Sequence, residues 1–130
     1  MRYVLLACAL ALLPLAASAK TMLGVLHHGS SVVNFVLAGN TVVIEEQEAG
    51  GTRDDTTVQV RDMGCTGVGT NHSITMQAKG LKMRRDQVSK NDVYVFSTQK
   101  GGARTWLFNR DEDADAFALA AKLNRLGHCK

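Results

Sequence analysis

The stretch NRDEDADAFALAAKLNRLGHCK, Asn109 to Lys130, decides the fold. Asn109 and Glu112 have the spacing of a capping box, and Asp111, Asp113 and Asp115 put negative charge where a helix dipole is positive. Ala116, Leu119, Ala120, Leu123 and Leu126 then recur on one face, with Phe117 at its edge. Lys122 and Arg125 suit the other end of the dipole, and Gly127 fits a C-terminal stop. This predicts one amphipathic helix at the end of the chain. Its stripe needs a surface to cover, and the residues before it supply strands.

Working back from the helix, Arg104 to Phe108 and Asp92 to Ser97 are rich in β-branched and aromatic residues. Gln99-Lys100-Gly101-Gly102 between them reads as a hairpin turn. Ser73 to Gln77 and Thr57 to Arg61 alternate with a period of two, the pattern of half-buried strands. Thr41 to Glu45, Val32 to Leu37 and Met22 to Leu26 complete seven short strands, separated by Ala38-Gly39-Asn40 and Gly29-Ser30-Ser31. Glu46 to Asp55, with Gly50-Gly51, is expected as a loop or hairpin tip. Gly64-Cys65-Thr66-Gly67-Val68-Gly69 is expected as a flexible bend. It lacks the Gly-Lys-Ser/Thr that a phosphate-cradling loop requires.

The expected class is therefore α+β, mainly β. About seven antiparallel strands form a small barrel or sandwich, packed by one C-terminal helix. The element order is that of pleckstrin-homology-like barrels, an analogy of shape alone.

The first nineteen residues read as a secretory signal peptide. Arg2 is the positive n-region, Val4 to Ala17 is apolar, and Ala17-Ser18-Ala19 is a small-x-small cleavage site. The apolar run is shorter than the roughly 20 residues that span a bilayer, so no transmembrane segment is expected in the mature chain. Leu5-Leu6-Ala7-Cys8 resembles a lipobox, but Cys8 comes too early to leave an h-region before it. Removing residues 1–19 from the 130 leaves 111, a single exported domain over residues 20–130. The destination is the periplasm or the exterior.

Cys65 and Cys129 are the cysteines that remain, and export favours their oxidation. A bridge closing about 65 residues stabilises by roughly 4 kcal/mol in the loop-entropy picture. His72 and His128 complete a zinc inventory on paper, but neither His–Cys spacing is a ligand knuckle, so a disulfide is expected and no metal.

A formal net charge of +3, from 15 Lys+Arg and 12 Asp+Glu, is too mild for a dedicated nucleic-acid binder. No catalytic constellation assembles. His27 and His28 are adjacent on a strand and point to opposite faces. Ser30-Ser31 lacks a nucleophile elbow. The acids from Asp111 to Asp115 are explained by capping rather than by a calcium loop. Trp106 reads as core. No enzyme and no cofactor are expected.

The notable feature is a charge contrast, with five acids and Arg53 between Glu45 and Asp55, against five basic residues and Asp86 between Lys79 and Lys90. Such polarity steers charged partners. Lys79, Lys82, Met83, Arg84 and Arg85, on a charged loop with Leu81 and Met83 as apolar anchors, are the expected binding residues. The expectation is an exported, periplasmic protein-binding module of inhibitor or immunity type. It would occlude a partner protein such as a secreted toxin or a cell-wall hydrolase. The alternative is a small-ligand or lipid-binding β domain.

Overall fold

The structure is a computed structural model describing residues 19–87 and 92–129, with side chains over 19–85 and 102–129. The expected signal peptide lies outside the described residues apart from Ala19. The strands are β1 Lys20–His28, β2 Ser31–Ala38, β3 Thr41–Gln47, β4 Thr52–Gln59, β5 Met63–Gly69, β6 Ser73–Gln87 and β7 Asp92–Leu107. A 3-10 turn, Val60–Asp62, separates β4 from β5. A second, Arg110–Glu112, leads into the helix α1, Asp113–Leu126.

All seven strands belong to one antiparallel sheet in the order β1-β2-β3-β4-β6-β5, with β7 on the other side of β6. β6 is long enough to serve two partners along one side. Thr52–Thr57 lies against Lys82–Gln87, and Met63–Gly69 against Ser73–Ala78. β7 follows β6 along the opposite side from Ser73↔Leu107 to Gln87↔Asp92. Irregularities at Met22/Gly24, Met63/Thr66 and Leu81/Met83 sharpen the twist, and the sheet curls into a half-barrel. Gly29 and Gly39 open the first two hairpins at φ +59° and +61°, a region where a Cβ is strained.

The expected architecture is observed, but the strand set differs from the expected one in several places. Gly64 to Gly69 is strand β5, not a bend. A Cβ on Gly64 would stand 3.1 Å from the Gln77 carbonyl oxygen, so the glycine lets two backbones approach. The expected hairpin at Gln99–Gly102 does not exist. Its glycines run on inside β7, with Gly102 opposite Ala78 and Lys100 opposite Gly80, because β6 pairs with β7 through this stretch. The acidic segment is a hairpin tip, shorter than expected at Glu48–Gly51, since β3 runs to Gln47 and β4 begins at Thr52. The basic segment from Lys79 to Gln87 is the second half of β6, not a loop, and its remainder to Lys90 lies outside the described residues.

The core lies between the concave face and α1. Leu26, Val33, Phe35, Val42, Ile44, Val58, Ile74, Met76, Leu81, Trp106 and Phe108 come from the sheet, and Ala116, Leu119, Ala120 and Leu123 from the helix. Trp106 is core as expected, edge-on to Phe35 at 5.4 Å between ring centroids. Leu119 sits over Gly24, where a Cβ would come within 3.0 Å of its Cδ1. Leu126 is only partly buried, and Phe117 lies off the stripe, 61% exposed.

The helix start is built differently from a capping box. Asn109 Oδ1 accepts from the Gly29 amide at 3.1 Å, and Glu112 Oε1 accepts from the His27 amide at 2.8 Å. Both side chains thus satisfy β1 and its turn rather than the helix amides. Gly127, at φ −83°, is not a left-handed stop; the left-handed residue is His128, at φ +54°.

Candidate functional site

Strand alternation divides the expected binding segment between two faces. Leu81 is fully buried in the concave face and cannot act as a surface anchor. Met83 and Arg85 follow it inward, opposite Thr56 and Asp54. Lys82 and Arg84 alternate with them on the outside of the sheet and are exposed; Lys79, exposed as well, precedes this alternation, where β6 passes from β5 to β4. The five residues therefore form two sites rather than one.

Lys82 and Arg84 are held by a stretch of β6 that pairs with β4 on one side and β7 on the other. Lys82 stands opposite Thr57 and Arg84 opposite Asp55. Asp55 is already engaged: Arg53 donates from Nε to its Oδ1 at 3.0 Å and also pairs with Glu45. No ion pair forms on Lys79, Lys82 or Arg84 among the described residues. The outer face thus carries an acid-rich network on β3 and β4 beside a basic row on β6.

The inner set continues the concave face along β6 and β4 past Leu81. Arg85 holds Asp54 with two parallel bonds, Nε to Oδ1 at 2.8 Å and Nη2 to Oδ2 at 3.0 Å. Asp54 is buried, and its hydrogen bonds raise the Arg85 guanidinium above its ordinary value. Facing them from β7, Arg104 lies 5.4 Å above the Trp106 ring and directs Nη1 at the Met83 sulfur, 2.6 Å away. Its nearest carboxylate is Glu46 of β3, 3.8 Å from Nη2. Burial pushes the Glu46 carboxyl above the usual glutamate range; Arg104 pulls against this, and Asp54 and Glu48 add to it. Asp54, Met83, Arg84, Arg85 and Arg104 line a cleft of about 320 Å³, with Arg84 contributing to its rim as well as to the outer row.

Other sequence candidates are occupied structurally. His27 Nδ1 meets Glu112 Oε2 at 3.1 Å, and His72 Nδ1 meets Asp113 Oδ1 at 2.8 Å, so these histidines tie the sheet to the start of α1. His28 is exposed at the end of β1. Among the described residues no group of three or more His, Cys, Asp and Glu could hold a metal. No helix there is long and apolar enough to cross a membrane. Cys65 and Cys129 stand at disulfide distance, with Cα atoms 5.1 Å apart, and join β5 to the end of α1.

Sequence reading missed Arg104, Glu46 and Asn124. Arg104 could have been found by counting parity from Trp106, which places both on one face of β7. Glu46 could have been found the same way from Ile44 on β3. Asn124, whose carboxamide bonds the Thr66 backbone, carries no such signal. Compared with protein-family models, curated proteins and solved structures, the chain matches none.

Proposed function

We propose that this chain is a small exported module that binds a partner protein and inhibits or neutralises it by occlusion, docking through Lys79, Lys82 and Arg84. The observation that carries the reading is the exposure of these three cations close together along β6, without counter-ions among the described residues. Cations fixed in this way meet an acidic partner surface with little side-chain reorganisation, and the acid-rich network on β3 and β4 discriminates against basic surfaces. A secreted toxin or a cell-wall hydrolase with an acidic rim to its active site is the class of partner that fits. The disulfide-distance pair is compatible with an oxidising compartment such as the periplasm.

The test is affinity capture from the periplasm with the exported protein and with a Lys79→Ala/Lys82→Ala variant, at low and high salt. Partner recovery should fall in the variant and in salt, with association slowed roughly three- to tenfold. Equal recovery by both proteins removes these lysines from the interface. The concave cleft favours a second reading, in which the half-barrel binds a small ligand or lipid.

A further inference from the structure

We infer that the cleft past Leu81 on the concave face binds a small organic carboxylate, with Arg104 as its anchor and Met83 beside its chain. The inference rests on the small-ligand reading and gives it a chemistry.

Arg104 is the reason. A guanidinium has five donors that match a carboxylate bidentately, as Arg85 does with Asp54 a few ångströms away. Arg104 has one donor on a thioether sulfur and a carboxylate 3.8 Å off, beyond hydrogen-bond reach. Its side chain is only 22% exposed and lines the cleft, so its remaining donors are offered to whatever occupies that space. A partly buried cation with unused donors at the wall of a cleft favours an anion that brings two oxygens. The rest of the wall selects the remainder of the ligand. Met83 and the aliphatic stems of Arg84 and Arg85 are apolar, and Met adapts to irregular chains. Asp54 is already neutralised by Arg85, so it repels an incoming anion less than a free carboxylate would. Glu46 is the competitor, because it is the only other carboxylate near Arg104 among the described residues.

A larger cleft, of about 500 Å³ along β5, β6 and β7, does not offer this chemistry: it is lined by Asp62, Met63, Gln77, Lys79 and small residues, and its one cation, Lys79, is exposed.

The experiment uses octanoate as the probe, with octanol and acetate as the chain-only and charge-only controls. Trp106 is the sole tryptophan and lies under the Arg104 guanidinium, so its emission reports on the site; calorimetry gives an independent isotherm. Octanoate should bind saturably in the low-millimolar range or tighter and alter Trp106 emission. Arg104→Gln should weaken binding about tenfold or more, the weight of a charge-assisted pair. Should that variant fail to fold, Glu46→Gln decides, because removing the competing carboxylate should tighten octanoate binding. Absence of saturable octanoate binding overturns the inference, as does unchanged affinity in a folded Arg104→Gln variant, or no tightening in Glu46→Gln. Octanol binding as well as octanoate overturns the carboxylate claim while leaving a small-ligand site in place. None of these outcomes bears on partner capture through Lys79 and Lys82.

Discussion

Asn124 completes the free edge of β5 with its side chain: Oδ1 accepts the Thr66 amide at 2.7 Å, and Nδ2 donates to the Thr66 carbonyl at 2.9 Å. A carboxamide held this way acts as one residue of a missing strand. It satisfies two backbone groups that would otherwise be stranded beneath the helix. Asn124→Ala should therefore cost about 2–3 kcal/mol, since two bonds are lost and two part-buried groups are left unpaired. Urea unfolding of the oxidised protein measures it. A loss below about 0.5 kcal/mol would mean that water replaces the amide.

Cys65 precedes Thr66, and Cys129 lies five residues after Asn124, so the cysteine pair and the carboxamide tie the same two elements. Cys65→Ser/Cys129→Ser should lower stability by about 4 kcal/mol, given the 64-residue separation. Adding Asn124→Ala should cost a different amount in that background than in the oxidised protein. Without the bridge the end of α1 frays, and the carboxamide contact is already partly lost. A coupling of roughly 0.5 kcal/mol or more in a double-mutant cycle is expected; strict additivity would show that the two tethers act independently.

How legible the molecule was depended on whether a pattern was local. The stripe from Ala116 to Leu123 and the alternation in Thr57 to Arg61 are set by neighbours in sequence, and both gave the right element, although Val60 and Arg61 belong to the 3-10 turn that follows β4. Gly101-Gly102 and Gly64 to Gly69 misled for a shared reason. Glycine marks a turn when the chain must reverse, but also a close backbone approach when a partner strand is present, and the partner here is distant in sequence. Asn109 and Glu112 have the spacing of a cap, yet the amides of Gly29 and His27 compete for their oxygens and win. The basic segment was legible as charge but not as geometry. Only the register that puts Asp54 opposite Arg85 shows that one cation is neutralised while Lys79 and Lys82 remain exposed.

Gly127 is required by its neighbour rather than by its dihedral angles. A Cβ there would come within 3.0 Å of Met63 Cβ, an atom fixed to the backbone of β5 that cannot swing away. Gly127→Ala should force α1 off the sheet and cost about 1–2 kcal/mol, as overpacking does. Gly67→Ala is the control: it lies in β5, nothing stands within 4 Å of its added Cβ, and it should be neutral or slightly stabilising. Comparable thermal shifts for the two variants would refute a steric role for position 127.

Glu46 gives stability a pH dependence opposite to that of a salt-bridged carboxylate. Burial is the largest influence on it and raises its folded-state pKa above the unfolded value. In the window from the ordinary glutamate pKa up to the raised one, the folded protein holds more protons than the unfolded chain. Stability from this group is therefore full below the window and is lost as pH rises through it. Glu46→Gln keeps the shape and carries no charge, so the difference between the two proteins isolates the effect from every other carboxylate. The variant should match the parent below the window, gain on it as pH rises through the window, and keep a constant lead above it in denaturant unfolding. A parent that instead gains on the variant as pH rises would show that Arg104, 3.8 Å away, outweighs the burial and that Glu46 is its true partner. In that case the Arg104 donors are less available to an incoming anion, so the same pair of proteins tests the premise of the cleft by a measurement without ligand.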